Sequence, residues 1–135
     1  MYSHILVPVV MDDNPNASAA LTAARTLGNP DAVVTLLHVM EDVPHYAISY
    51  MPQGYIDQLR DAIKAEIDIV AATFKKGRSV LATGKAGRVI LDHAGENGVD
   101  CIVIASHHPG ISDYFLGSTA AHVVRHAQCS VHVVR

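Results

Sequence analysis

The chain has 135 residues, half of them hydrophobic, which is enough for one domain whose core hides roughly two-thirds of the surface an unfolded chain exposes. A formal net charge of −3, with lysine and arginine scattered, leaves no basic stripe for nucleic acid. The longest N-terminal apolar run, Ile5 to Met11, is too short to span a membrane and contains Pro8; no secretory signal precedes it, so a cytoplasmic protein without a membrane partner is expected.

Tyr2 to Val10 reads as a strand, with the continuous apolar look of a parallel sheet buried on both faces. Asn14 can cap a helix that has Pro15 at its first position and stops at Gly28. Ala17, Ala20, Leu21, Ala24 and Leu27 give that helix its core stripe. Ala32 to Met40 is the second strand. Glu41 to Pro52, with Pro44, His45, Tyr46 and Tyr50, has no clear period and reads as a lid or binding segment. Ile56, Leu59, Ile63, Ile67, Val70 and Phe74 then recur at three and four, which predicts the longest helix. Val80 to Thr83 is a short third strand, and Ala86 to Asn97 a helix closed by Gly98. Cys101 to Ala105 is the fourth strand, Ser118 to His126 the last helix, and Cys129 to Val134 the fifth strand.

No repeat, linker or low-complexity tract divides the chain, so residues 1–135 read as a single domain. Five strands alternating with four helices predict an α/β fold: one doubly wound, five-stranded parallel sheet with helices on both faces, Rossmann-like or flavodoxin-like. Ligands of such sheets bind at the carboxyl ends of the strands where the winding reverses. If strands one and four flank that reversal, the loops after Val10 and Ala105 face each other across it.

The last third of the chain points to an anion at that place. A buried strand leads into Ser106-His107-His108-Pro109-Gly110, and Gly117-Ser118-Thr119 opens a helix. Free N–H groups of a first helical turn favour phosphate. Gly117 lets backbone approach a ligand, and Ser118 can cap the helix or offer its hydroxyl. An ordinary βα turn with a serine cap explains the same residues. His107 and His108 can donate to phosphate or stand free as loop histidines.

Other chemistries fail on spacing. Ser79 and Ala86 stand where a P-loop around Gly84-Lys85 needs a glycine and a hydroxyl, no GxGxxG follows the first strand, and Gly117 directly precedes Ser118, which rules out a nucleophile elbow. Cys101 and Cys129 read as small core residues, with no CxxC and no zinc spacing. His122 and His126 lie one helical turn apart but lack the acidic residue of an HExxH site, so they read as solvated or capping groups. Asp12 and Asp13 could hold a divalent cation, as in a phospho-receiver domain. The third strand ends Leu81-Ala82-Thr83-Gly84, without the carboxylate such a domain phosphorylates.

The whole chain resembles the universal stress protein family. Ile5-Leu6-Val7-Pro8-Val9 is similar to its opening strand, Leu36-Leu37-His38-Val39 to its second, and Gly84 through Ile90 to the entry of its third helix. The most specific part is Asp100 through His107, followed by Gly117-Ser118 and by Val124 through Val131. The family's phosphate loop reads Gly-x2-Gly-x9-Gly-Ser/Thr. This chain keeps the closing pair, with Ala105 and His108 at the two earlier glycine positions, and so looks like the branch whose loop reads Ser-His-x-Pro. Val10 stands where the family often has an aspartate on the nucleotide.

The resemblance implies a regulatory or sensing module of the stress response that binds an adenine nucleotide: ATP, or ADP or AMP, with or without Mg2+. Pro8, Val9 and Val39 would line the adenine pocket, Ser106, His107 and His108 would run along the phosphates, and Gly117, Ser118 and Thr119 would hold them. It also implies a homodimer through the last strand, extending to higher oligomers, and at most slow ATP hydrolysis, since no general base is placed by the sequence. The other reading is a nucleotide-free dimeric interaction protein of the same fold.

Overall fold

Successive side chains of a strand point to opposite faces, and in the central strand β1 (Tyr2–Pro8) both faces are covered: Ile5, Leu6 and Val7 are all fully buried. A computed structural model describes residues 1–10, 15–106 and 116–135 of the chain. After β1 come α1 (Pro15–Leu27), β2 (Gly28–Met40), the single turn α2 (His45–Ile48) and α3 (Tyr55–Ala71). Then follow β3 (Lys76–Thr83), α4 (Ala86–Glu96), β4 (Cys101–Ala105), α5 (Ser118–His126) and β5 (Ser130–Val134). The strands form one parallel sheet in the order β3-β2-β1-β4-β5.

Alternation divides the core in two. Ile5, Val7, Val34, Leu36, Cys101 and Val103 face Ala20 and Ala24 of α1 and Ile67 and Ala71 of α3. Leu6, Leu37, Ile102 and Ile104 face Ile90 and Ala94 of α4 and Ala120 and Val123 of α5. Each fully buried Val, Leu or Ile contributes roughly 1.5–3 kcal/mol, and the small alanines bring the helices close to the sheet. This is the doubly wound sheet expected from the sequence.

The chain winds from β1 outward to β3, then crosses back to β4 on the other side of β1. β4 stays paired with β5 as far as Ala105↔Val134, but with β1 only at Ile5↔Cys101 and Leu6↔Ile102. The carboxyl ends of β1 and β4 therefore separate, and a crevice opens there.

Several boundaries differ from the sequence reading. β2 begins at Gly28 rather than Ala32, because Gly28 pairs with Tyr2 before the register shifts and His4 meets Val33. The turn-like Gly28-Asn29-Pro30-Asp31 is thus a bulged start of a strand. β3 begins at Lys76 rather than Val80, as an edge strand whose opening residues are polar. β1 stops at Pro8 rather than Val10, and β5 starts at Ser130 rather than Cys129. The segment after β2, read as irregular, contains the turn α2. Gly98, with φ of +66°, ends α4 as expected.

Candidate functional site

The carboxyl ends of β1, β2 and β4 and the first turns of α4 and α5 enclose a cleft of about 380 Å³, a volume suited to a small ligand. Pro8, Val9 and Val10 form one apolar wall and Leu37 and Val39 another, while Ile90, Ile104 and Ala120 reach it from the core.

The wall at β2 carries open backbone. Pairing between β1 and β2 ends at Pro8↔Leu37, with the N–H of Val9 donating to the Leu37 carbonyl at 2.9 Å. In a parallel ladder alternate residues turn their N–H and C=O to the same neighbouring strand. Val39, two residues past Leu37, therefore turns them towards β1, where pairing has stopped. His38 fixes that stop. Its Nδ1–H donates to the Val9 carbonyl at 2.9 Å, taking the acceptor that a further rung would use.

The opposite side is electropositive. Gly117 is the N-cap of α5, with no side-chain cap bond, and the first turn holds no acidic residue while Arg125 and His126 occupy the last. The first N–H bonded within the helix is that of Ala121, to the Gly117 carbonyl at 2.8 Å. The N–H groups of Ser118, Thr119 and Ala120 have no intrahelical acceptor, and all three residues line the cleft. Ser118 is the first helical residue, so its hydroxyl does not cap the helix as the sequence allowed. α4 begins in the same way, with Lys85 as an N-cap that makes no side-chain bond, no acid in the first turn, and Ala86 on the cleft. Each helix N-terminus carries a partial positive charge of about half a unit.

Ser106 sits between these features. Its N–H donates to Val134 at 2.8 Å, and its carbonyl accepts from Gly117 N–H at 2.5 Å, which ties the end of β4 to the start of α5. The residue is 2% exposed and lines the cleft, yet its Oγ has no hydrogen-bond partner among the described residues. A buried hydroxyl left unpaired costs about 1–3 kcal/mol. A phosphate oxygen would satisfy it.

Pro8, Val9, Val39, Ser106, Gly117, Ser118 and Thr119, chosen from separate stretches of sequence, meet around this one cleft. His107 and His108, like Asp12, Asp13 and Asn14, lie outside the described residues. Glu41, His38 and Ala86 also line it and were not singled out. Glu41 directly follows the carboxyl end of a strand, so the topological rule alone could have found it.

Thiol and metal chemistry have little support elsewhere. Burial pushes the Cys101 thiol up to about 11, and burial also raises half-buried Cys129; both cysteines are free. His122 and His126 are exposed, with ring centroids 4.6 Å apart. Among the described residues no three metal-ligating side chains come together.

Residues 1–135 match the model of the Universal stress protein family. Universal stress protein A homolog 2 of Coxiella burnetii is 29% identical over 139 residues, covering 99% of this chain and 95% of its own. Universal stress protein UspA from Lactobacillus plantarum superposes with a TM-score of 0.73 at 28% identity, covering 99% and 98%. The hypothetical protein MJ0577 shares the fold at a TM-score of 0.83 and 24% identity, covering 99% and 96%. Two further structures with this fold carry nucleotides. One is a universal stress protein from Archaeoglobus fulgidus in complex with dAMP (TM-score 0.65, 21% identity, covering 99% and 98%), the other an Arabidopsis thaliana family member with AMP bound (0.64, 16%, covering 98% and 90%). The match over its whole length, on a sheet wound in the expected order, places this chain in the universal stress protein family.

Proposed function

We propose that the cleft binds an adenine nucleotide, with ATP as the ligand of choice, and that the protein works as a nucleotide-dependent regulatory module. The observation that carries this reading is Ser106: a buried, unpartnered hydroxyl beside an uncapped helix N-terminus, in a cleft whose far wall is apolar. In this arrangement Ser106, Gly117, Ser118 and Thr119 hold phosphate. Pro8, Val9 and Val39 pack on the base, and the open backbone of Val39 reads its edge. His107 and His108 join the phosphate side on the strength of the sequence alone. Relatives that hold AMP and dAMP support the adenine assignment.

The test is calorimetric titration of ATP, ADP and AMP into purified protein, with mass spectrometry of any ligand carried through purification. Micromolar binding that strengthens with phosphate count supports the reading. Absence of binding by all three overturns it in favour of a nucleotide-free interaction protein.

The same reading includes a cytoplasmic homodimer. Two free thiols suit a reducing compartment. β5 is an edge strand of alternating apolar residues, Val131, Val133 and Val134, all only partly buried in the single chain. An apolar edge of this kind invites pairing with a second copy across a two-fold axis. Val133→Lys should shift the protein to monomer in sedimentation, and a parent chain already monomeric at high micromolar concentration removes the dimer.

A further inference from the structure

Glu41 is the single charged side chain among the described residues that line the cleft. It takes no part in the ion pairs Lys64–Asp68, Lys75–Asp31 or Arg88–Asp92, and its side chain makes no hydrogen bond among the described residues. Its position is set all the same. The N–H of Gly84 donates to the Met40 carbonyl at 2.9 Å, which pins the backbone immediately before it.

The place of Glu41 argues against a role at the phosphates. β2 and β4 are separated by β1, so the end of β2 lies about two strand spacings, roughly 9–10 Å, from the end of β4, where Ser106 and the start of α5 stand. An ionised carboxylate can only accept hydrogen bonds, and it repels an anion. It therefore calls for a donor on the part of the ligand that is not phosphate. A nucleoside offers two kinds of donor, the exocyclic amine of the base and the hydroxyls of the sugar.

Depth separates the two. Val39, with its open backbone, is half-buried, whereas Glu41 is exposed at the mouth of the cleft. A base seated against Val39 leaves its sugar at the level of Glu41. Among the described neighbours Glu41 offers the one carboxylate. Pro8, Val9 and Val10 are apolar, and His38 has committed Nδ1 to the Val9 carbonyl. A carboxylate that follows a strand end and accepts from ribose hydroxyls is also an established physical solution in other doubly wound folds.

We propose that Glu41 makes the site selective for ribonucleotides, its carboxylate accepting hydrogen bonds from the ribose hydroxyls. The proposal rests on the reading of the cleft as a nucleotide site. Its test is titration of ATP, 2′-deoxy-ATP and 3′-deoxy-ATP into the parent protein, into Glu41→Ala and into an Asp12→Asn/Asp13→Asn variant. A hydrogen bond to a charged group is strong enough that the parent should bind at least one deoxy analogue about tenfold more weakly than ATP. Glu41→Ala should bind ATP and that analogue equally, and the Asp12→Asn/Asp13→Asn variant should keep the parent's preference.

Equal affinities in the parent, or a preference that survives Glu41→Ala, overturn the proposal while leaving nucleotide binding intact. So does a preference lost in Asp12→Asn/Asp13→Asn alone. A parent protein that binds none of the three nucleotides removes the nucleotide reading and this proposal together. Glu41 lies on the surface beyond the strand, so its replacement leaves the core untouched and the variant remains foldable.

Discussion

The two ends of the sheet treat their polar groups in opposite ways. At the amino end the polar groups around Asp100 and His4 are paired with one another. The Asp100 carboxylate accepts from the N–H groups of Ser3 and His4, both at 2.9 Å, and its own N–H returns a bond to the His4 carbonyl at 3.0 Å. The His4 ring bridges the Asn97 carbonyl through Nδ1 at 3.1 Å and buried Thr35 through Nε2 at 2.8 Å. A carbonyl only accepts, so Nδ1–H is the donor to Asn97. At the carboxyl end, among the described residues, Ser106 Oγ is unpaired, two helix N-termini lack side-chain caps, and Val39 turns its backbone towards an ended ladder. One end is built for stability, and the other holds back interactions that a ligand can complete. Substitutions at the first should therefore cost folding, and at the second, binding.

The sharpest break of that division comes from Gly77, at the amino end of β3. A Cβ there would lie 1.9 Å from the carbonyl oxygen of Ala71 and 2.7 Å from its carbonyl carbon, at the foot of α3. Backbone cannot yield at such distances without moving α3 away from Ile67 and Ala71, which are buried in the core. Gly77→Ala should destabilise by about 3 kcal/mol or more, lowering Tm by roughly 10 °C. Nucleotide affinity, measured well below that Tm, should be close to the parent's. A thermal scan showing no loss would mean that β3 is held far more loosely than its paired register implies.

Asp100 gives a smaller effect with a defined pH dependence. Burial works to raise its pKa, but the N–H donors of Ser3 and His4, its own backbone N–H and the charge of His4 together outweigh burial, and the carboxyl ends below its ordinary value. A depressed carboxyl stabilises the fold above its unfolded pKa of about 3.9, and that stability is lost as pH falls through the lower folded value. Asp100→Asn should cost about 1–2 kcal/mol at neutral pH, given a partly exposed site. The gap between parent and variant should stay level from pH 8 to 5 and close below about pH 4. Urea unfolding at several pH values measures it, and a gap that widens in acid would contradict the assignment.

The same contrast explains what the sequence made legible. Apolar runs such as Ile5-Leu6-Val7 and Cys101 to Ile104 announce buried parallel strands, and the strand–helix alternation constrains the order of winding. Residues lining the cleft at strand ends follow from that order, which is why Pro8, Val9, Ser106 and Gly117 could be gathered from a linear reading. Features that depend on register stayed hidden. Gly28-Asn29-Pro30-Asp31 has the composition of a turn, and it opens a strand because Gly28 pairs with Tyr2 of β1 ahead of the register shift. Lys76-Gly77-Arg78 has no apolar pattern because an edge strand must be polar outside. Ser118 looked like a cap, but one residue of phase gives that place to Gly117. Glu41 carries no motif at all; its place beside the cleft comes entirely from the sheet.

Ser106 yields the smallest change in stability and the clearest test of the division. At the amino end, removing a polar group leaves its partner unpaired, and both losses add. Among the described residues Ser106 Oγ has no partner to strand, and the hydroxyl itself is buried. Alanine keeps the Cβ and both backbone bonds, to Val134 and from Gly117. The expected stability change for Ser106→Ala is therefore between zero and a gain of about 1 kcal/mol, in contrast to the usual loss for a buried polar residue. The cost should appear on binding instead. A hydroxyl donating to a phosphate oxygen makes a charge-assisted bond, and its removal should weaken ATP about tenfold. Adenosine, which has no phosphate, should lose nothing. Parallel thermal scans and titrations read both quantities from the same preparation. A variant less stable than the parent by more than about 1 kcal/mol would show that the hydroxyl already has a structural partner, and the carboxyl end would then be as fully satisfied as the other.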